Sequence, residues 1–245
     1  MTSSYSVLSL MGPKAAAILT SVSNLTDVVG SNYKDEIVKP TVRILTIAGA
    51  PIRAIRVSYL GGPGWELHIP VESALAVYKK LMAVGKDFDL INAGYRCIES
   101  CRLEMCYRAW GSDIGPDYTP FEAGLGWAVK LHKSNQPFLG RDALLQQFDA
   151  GVDSLKRRLV CFTTSDKNVR LLGRETIYRN DQRVGWLSSG GYGHYLDTPI
   201  GIGYVRNSDG VSDEYLSDGI YQLDVAGKRY DCQLSLKPLL KLPVS

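Results

Sequence analysis

The periodicity of the chain changes once, and that change limits the folds open to it. Up to about residue 150, stretches that repeat apolar residues every second position alternate with stretches that repeat them every third or fourth. From Lys156 onward only short two-residue alternations remain: "RRLVCFTT", "ETIYRNDQRVGWLSS", "IGIGYV" and "YQLDVAGKRYDCQLSL". Hairpin turns are expected at Asn180–Asp181 and around Gly227. A tract made only of short strands and turns closes as a small barrel or sandwich. The chain therefore reads as α+β, with a mixed domain over residues 1–150 and a small all-β barrel or sandwich over 151–245.

Within the first part, "YSVLSLMGPKAAAIL" reads as strand, turn and helix, with Pro13 in the first helical turn. "TVRILTIAG" and "IRAIRVSYL" are β-rich runs broken at "APIR". In "WELHIP", Trp65, Leu67 and Ile69 alternate with Glu66 and His68. "ESALAVYKKLMAVG" spaces Ala74, Val77, Tyr78 and Leu81 for one helical face and closes at Gly85. Residues 111–140 form a loop-rich connector, and "GRDALLQQF" is a short helix after it. A strand beginning so near Met1 is expected of a piece of something longer.

The helix "YRCIESCRLEMCYR" contains an anomaly. At about 100° per residue, Tyr95, Ile98, Cys101, Met105 and Cys106 share an apolar arc, and Arg96, Ser100, Glu104 and Arg108 share the opposite one. Arg102 falls within the apolar arc. A guanidinium there needs an anionic partner, because desolvating a charge costs several kcal/mol. That partner is either a carboxylate of a neighbouring element or a ligand anion gripped by its fork of donors.

The bulk properties exclude several classes. Of 245 residues, 28 are basic and 25 acidic, giving a net charge of +3 without long blocks. This argues against a nucleic-acid stripe or a membrane-seeking basic segment and leaves small anions open as ligands. No apolar run reaches transmembrane length. The five cysteines include no C-x-x-C pair, which points to a reducing compartment and no disulfide framework. His68, His132 and His194 are too dispersed for zinc. No Ser–His–Asp set or activated cysteine can be assigned.

Other residues admit two readings each. Glu66 is either an exposed strand carboxylate or an acceptor for the N–H groups of a heterocycle. Tyr118 and Trp127 flank a glycine-containing connector, where they either floor a flat ligand or plug a seam. "SSGGYGHY" lacks the lysine of a phosphate loop and reads as a tight β-turn with a close backbone approach.

Four stretches carry a family resemblance: "SYLGGPGWELHIP", "NAGYRCIESCRLEMCYRAWGSDIGPDYTPFEAGL", "FLGRDALLQQ" and "SSGGYGHYLDTPIGIGYV". They resemble the folate-binding aminomethyltransferase family of the glycine-cleavage T-protein. The similarity is greatest to the C-terminal parts of sarcosine and dimethylglycine dehydrogenases and to the pyruvate dehydrogenase phosphatase regulatory subunit. It runs from Tyr5 to about Leu240. The resemblance implies subdomains around a hole that holds tetrahydrofolate, with a C-terminal barrel. It also implies Glu66 on the pterin edge and Arg102 facing the ligand, with Tyr118 and Trp127 as further folate-binding candidates.

In the dehydrogenases an upstream FAD domain oxidises an N-methyl amine, and the released one-carbon unit passes to tetrahydrofolate. The family's catalytic aspartate lies in a part that no position here matches, and nothing here resembles a dinucleotide-binding domain. Gly62 stands where the family turn has glutamate, and "KPLLKLPVS" lacks the T-protein's C-terminal tyrosine. The resemblance thus implies a folate-binding portion of a one-carbon-transferring flavoprotein, inactive as this chain alone. The alternative is a non-catalytic regulatory scaffold. Partners are tetrahydrofolate and an upstream FAD domain or partner protein, with no metal, nucleic acid or membrane. The implied location is the mitochondrial matrix in a eukaryote, otherwise the cytoplasm.

Overall fold

The computed structural model describes residues 3–24, 42–131 and 137–240. His132 and the "KSNQ" after it, like the final "KLPVS", lie outside the described residues. The chain divides into two compact units, Met1–Ile98 and Glu99–Lys241.

The first unit is built on a four-stranded antiparallel sheet of β1 (Tyr5–Met11), β2 (Val42–Ile47), β3 (Ala50–Val57) and β4 (Gly64–Pro70), in the order β1-β4-β3-β2. The two-residue alternation of the sequence becomes the two faces of this sheet. Trp65, Leu67 and Ile69 of β4, Ile52 and Ala54 of β3, Leu45 and Ile47 of β2, and Leu10 of β1 are buried on one face. Helices α1 (Ala15–Val22) and α2 (Ala74–Gly85) complete that core with Ile18, Leu19, Val77 and Leu81. Tyr78, expected on the buried side of α2, is exposed, and its hydroxyl accepts a hydrogen bond from Asn92.

"APIR" does not break the strands. The break comes just before it, at Ala48 and Gly49, which both adopt positive φ, and Pro51 already pairs with Thr46. Two successive left-handed residues give the tight hairpin whose twist matches its strands.

The second unit opens inside helix α3 (Tyr95–Glu104) and passes through the connector and helix α4 (Arg141–Asp149) into a closed antiparallel barrel. Its strands are β5 (Arg157–Thr164), β6 (Thr176–Arg179), β7 (Gln182–Gly193), β8 (Thr198–Arg206), β9 (Tyr221–Val225) and β10 (Lys228–Ser235), with the five-residue helix α5 (Asp213–Ser217) between β8 and β9. They close in the order β10-β5-β8-β7-β6-β9. The fold is thus α+β with a six-stranded C-terminal barrel. Asn180–Asp181 and Ala226–Gly227 carry positive φ at the two hairpin turns, as the sequence indicated.

Phe162, Ile177, Leu187, Val205 and Leu223 fill the barrel interior. On the outer side, Ile200, Ile202 and Tyr204 of β8 and Leu159 of β5 pack with Leu103 and Cys106 from the end of α3. "SSGGYGHY" differs from expectation: it is mostly the second half of the long strand β7, not a turn. The close approach is real, since a Cβ on Gly191 would stand 2.7 Å from Leu103 Cδ1 and one on Gly193 2.9 Å from Glu104 Cγ. Closing the barrel removes exposed sheet edges. Among the described residues no helix is long and apolar enough to cross a membrane.

The cysteine expectation is corrected for one pair. Cys106 and Cys161, 55 residues apart, are paired as a disulfide across a Cα separation of 6.4 Å. Spacing along the chain could not reveal it, because only the packing of α3 against β5 brings the two together. Cys97, Cys101 and Cys232 take no part in a disulfide, and burial pushes the Cys232 thiol up to about 12.

Phe162 is fully buried inside the barrel, so Phe162→Ala leaves a cavity that the strands cannot collapse into. A loss of about 3–5 kcal/mol is expected, read as a lowered urea midpoint with an unchanged m-value.

Candidate functional site

Among the described residues Arg102 is the largest fully buried side chain, with 1% of its surface exposed. Its surroundings answer the anomaly seen in the helix. Nε and Nη2 donate to Glu99 Oε2 at 3.1 and 2.7 Å. Nη1 donates to Asp113 Oδ2 at 2.6 Å and to the Tyr107 carbonyl at 3.0 Å, and Nη2 also donates to Ser189 Oγ at 2.8 Å. All five N–H donors of a guanidinium are thereby engaged by the protein itself. Burial works against the charge, but Asp113 and Glu99 outweigh it and hold the guanidinium above its ordinary value. The geometry therefore favours the carboxylate-partner reading, and Arg102 has no spare donor for a ligand.

Asp113 is the counterpart, with none of its surface exposed. Its carboxylate accepts from Arg102, from the Ala109 amide at 2.9 Å and from the Ser188 hydroxyl, while its carbonyl accepts from Tyr204 Oη at 3.0 Å. One buried ion pair thus joins α3, the connector, β7 and β8. Sequence reading missed Asp113, Ser189 and also Glu104, which it placed on the polar arc. Glu104 is buried, and its Oε1 accepts from the amides of Tyr195 and Leu196 at 2.7 and 3.0 Å. The i, i+3 spacing of Glu99 and Arg102 was the one local signal available.

The "TPFEAGL" string has its own physical content. Thr119 and Glu122 exchange side-chain-to-backbone bonds in both directions, at 3.2 and 2.9 Å, which is a capping box. Gly124, at φ 68°, ends the single turn with Leu125 N bonded to Pro120 O and Gly124 N to Phe121 O. This is the Schellman pattern, and it needs a left-handed residue at the glycine. Glu122 then pairs with Arg157 of β5 at 2.9 Å, fixing the turn to the barrel.

Tyr118 stacks on Tyr204 with ring centroids 4.2 Å apart and planes 6° from parallel, and Arg157 sits 4.6 Å over the Tyr118 ring. Both Tyr118 faces are therefore engaged, which leaves it no face to floor a flat ligand. Trp127, on a 3-10 turn, is 84% exposed.

Glu66 belongs to the first unit. It projects from the face of β4 opposite Trp65, level with Ser9 of β1 and Ile55 of β3. Its side chain is 42% exposed, and its Oε2 lies 3.5 Å from Nε2 of His68, which is buried without a hydrogen-bond partner. Arg53 is the β3 residue paired with His68. A half-exposed carboxylate beside an orphaned ring nitrogen is an acceptor site open to a ligand's N–H groups. Among the described residues no three His, Cys, Asp or Glu side chains stand together as a metal site.

These features coincide with a family. Residues 1–133 match the GCVT N-terminal domain, and residues 157–241 match the glycine cleavage T-protein C-terminal barrel domain. The chain belongs to this glycine-cleavage T-protein family. It is similar to human mitochondrial sarcosine dehydrogenase, with 43% identity over 94% of this chain and 24% of that protein. It is also similar to the mouse mitochondrial pyruvate dehydrogenase phosphatase regulatory subunit, with 33% identity over 98% of this chain and 28% of that one. The crystal structure of glycine cleavage system aminomethyltransferase T from Bartonella henselae superposes with a TM-score of 0.74 at 26% identity, over 96% of this chain and 59% of that one. The chain spans about a quarter of the length of the two curated relatives.

Asp113→Asn keeps the shape but removes the charge that Arg102 faces. Breaking one side of a buried pair costs about 3–5 kcal/mol. The expected outcome is a large drop in melting temperature, against less than about 0.5 kcal/mol for an exposed control such as Asp142→Asn.

Proposed function

We propose that this chain is the folate-binding portion of a protein resembling sarcosine or dimethylglycine dehydrogenase, with Glu66 as the acceptor for the pterin edge. The observation that carries the reading is the half-exposed Glu66 carboxylate beside the unbonded His68 ring nitrogen, within a region matching the GCVT N-terminal domain. A carboxylate on a rigid central strand meets paired N–H donors with two acceptor oxygens, the complement that a pterin edge needs. Tetrahydrofolate, when bound, supplies the amines that take up a one-carbon unit.

The chain's own residues bind and orient. Glu66 accepts hydrogen bonds, and Trp127 offers an uncovered ring. Arg102 holds the structure around its carboxylates, and Tyr118 serves the barrel stack; neither is assigned a ligand bond. Oxidation of the N-methyl amine belongs to an FAD domain outside this chain, and the catalytic aspartate of the family matches no position in it. The mitochondrial names of the two curated relatives support a mitochondrial location. Similarity to the phosphatase regulatory subunit over 98% of this chain favours one second reading, a scaffold that keeps the fold and binds a protein partner.

Anaerobic calorimetric titration with tetrahydrofolate separates the two. The folate reading expects micromolar binding, weakened at least tenfold in Glu66→Gln, about 1.4 kcal/mol or more. Absence of binding by the folded chain, or identical affinity in the variant, counts against Glu66 as the acceptor.

A further inference from the structure

The second unit has a candidate site of its own, on the outer side of the barrel. A cavity of about 520 Å³ opens there, lined by Ser112 and Tyr118 of the connector, Arg174 before β6, Arg183 and Trp186 of β7, and Tyr204 of β8, among others. Tyr118, Tyr204 and Trp186 give it an aromatic wall, which two further arginines flank. Arg157 covers Tyr118 at 4.6 Å, Tyr118 stacks on Tyr204 at 4.2 Å, and Arg206 lies 5.9 Å from Tyr204 and 3.9 Å over Trp186. Trp186 is 43% exposed even with Arg206 on its ring.

The charges of this cavity are not balanced. Arg157 has a carboxylate, Glu122. Among the described residues, the side chains of Arg174 and Arg183 have no hydrogen-bonded or ion-paired partner. Arg206 Nη1 is buried without an acceptor, and burial depresses that guanidinium below its ordinary value. The adjacent carboxylates are already engaged. Asp113 is bound to Arg102, the Ala109 amide and Ser188, and Glu175 accepts from the Leu172 and Gly173 amides at 2.7 and 2.9 Å. Unpaired guanidinium groups beside an accessible indole suit one chemistry, a flat ring bearing carboxylates. The ring stacks on an indole made electron-poor by its cation, and the carboxylates meet the arginine forks.

We propose that this cavity is a binding site for a small aromatic carboxylate, gripped by Arg174 and Arg183 and stacked on Trp186. The site lies wholly within the second unit and does not depend on the reading of Glu66.

Benzene-1,3-dicarboxylate is a suitable probe, with inorganic sulfate as an anion without a ring. The folded chain should bind the probe saturably, with quenching of tryptophan emission that disappears in Trp186→Phe. Affinity followed by calorimetry should fall at least tenfold in Arg174→Gln/Arg183→Gln and stay unchanged in Glu66→Gln, with thermal melting of each variant checked in parallel. Both arginines line the cavity, and neither has a partner whose loss would disturb the fold. No saturable binding overturns the proposal. So does binding that the double variant retains, or sulfate binding as tight as that of the aromatic probe.

Discussion

The ion pair between Arg102 and Asp113 is the interaction on which the second unit depends. A guanidinium with 1% of its surface exposed and a carboxylate with none survive burial only because every donor of the first is met. Meeting them draws in Glu99 from the same helix, the Tyr107 carbonyl from the turn after it, and Ser189 from the barrel. Asp113 adds the Ala109 amide and Ser188. The helix end, the connector and the barrel wall are therefore held in one register by directional bonds, where an apolar contact would permit sliding. The glycines of β7 belong to the same arrangement, since Gly191 and Gly193 leave the space that Leu103 and Glu104 occupy.

Much of this fold was legible in the sequence, for reasons that can be named. The alternation in "WELHIP" showed which side of β4 is buried, because successive side chains of a regular strand point to opposite faces. Asn180–Asp181 and Gly227 marked hairpins because few residues tolerate positive φ. What sequence periodicity could not deliver was pairing at a distance. It placed Arg102 on a buried face but left open what would face it, and the answer, Asp113, comes from a loop with no period at all. Glu104 was misread for a related reason: a wheel assigns direction within one helix, whereas a β7–β8 turn supplies the amides that bury this carboxylate. The Cys106–Cys161 pair and the stack of Tyr118 on Tyr204 were hidden in the same way.

The candidate site shows a division of labour that the family resemblance alone did not predict. Glu66 stands on a sheet with an acceptor available, while Arg102, named beside it on the strength of the resemblance, spends its donors on the protein. Two kinds of mutational effect are therefore expected: loss of Arg102 or Asp113 acts through stability, whereas the proposed role of Glu66 predicts a loss of affinity with the fold intact.

The central claim is that a ligand is received on the Glu66 face of β4. Hydrogen–deuterium exchange of the intact chain, with and without tetrahydrofolate under anaerobic conditions, tests it most directly. The account predicts slowed exchange in β3 and β4, around residues 52–57 and 64–70, with the barrel strands β9 and β10 unchanged. Saturating ligand that leaves β4 exchange unaltered, or that protects only the barrel, would contradict it.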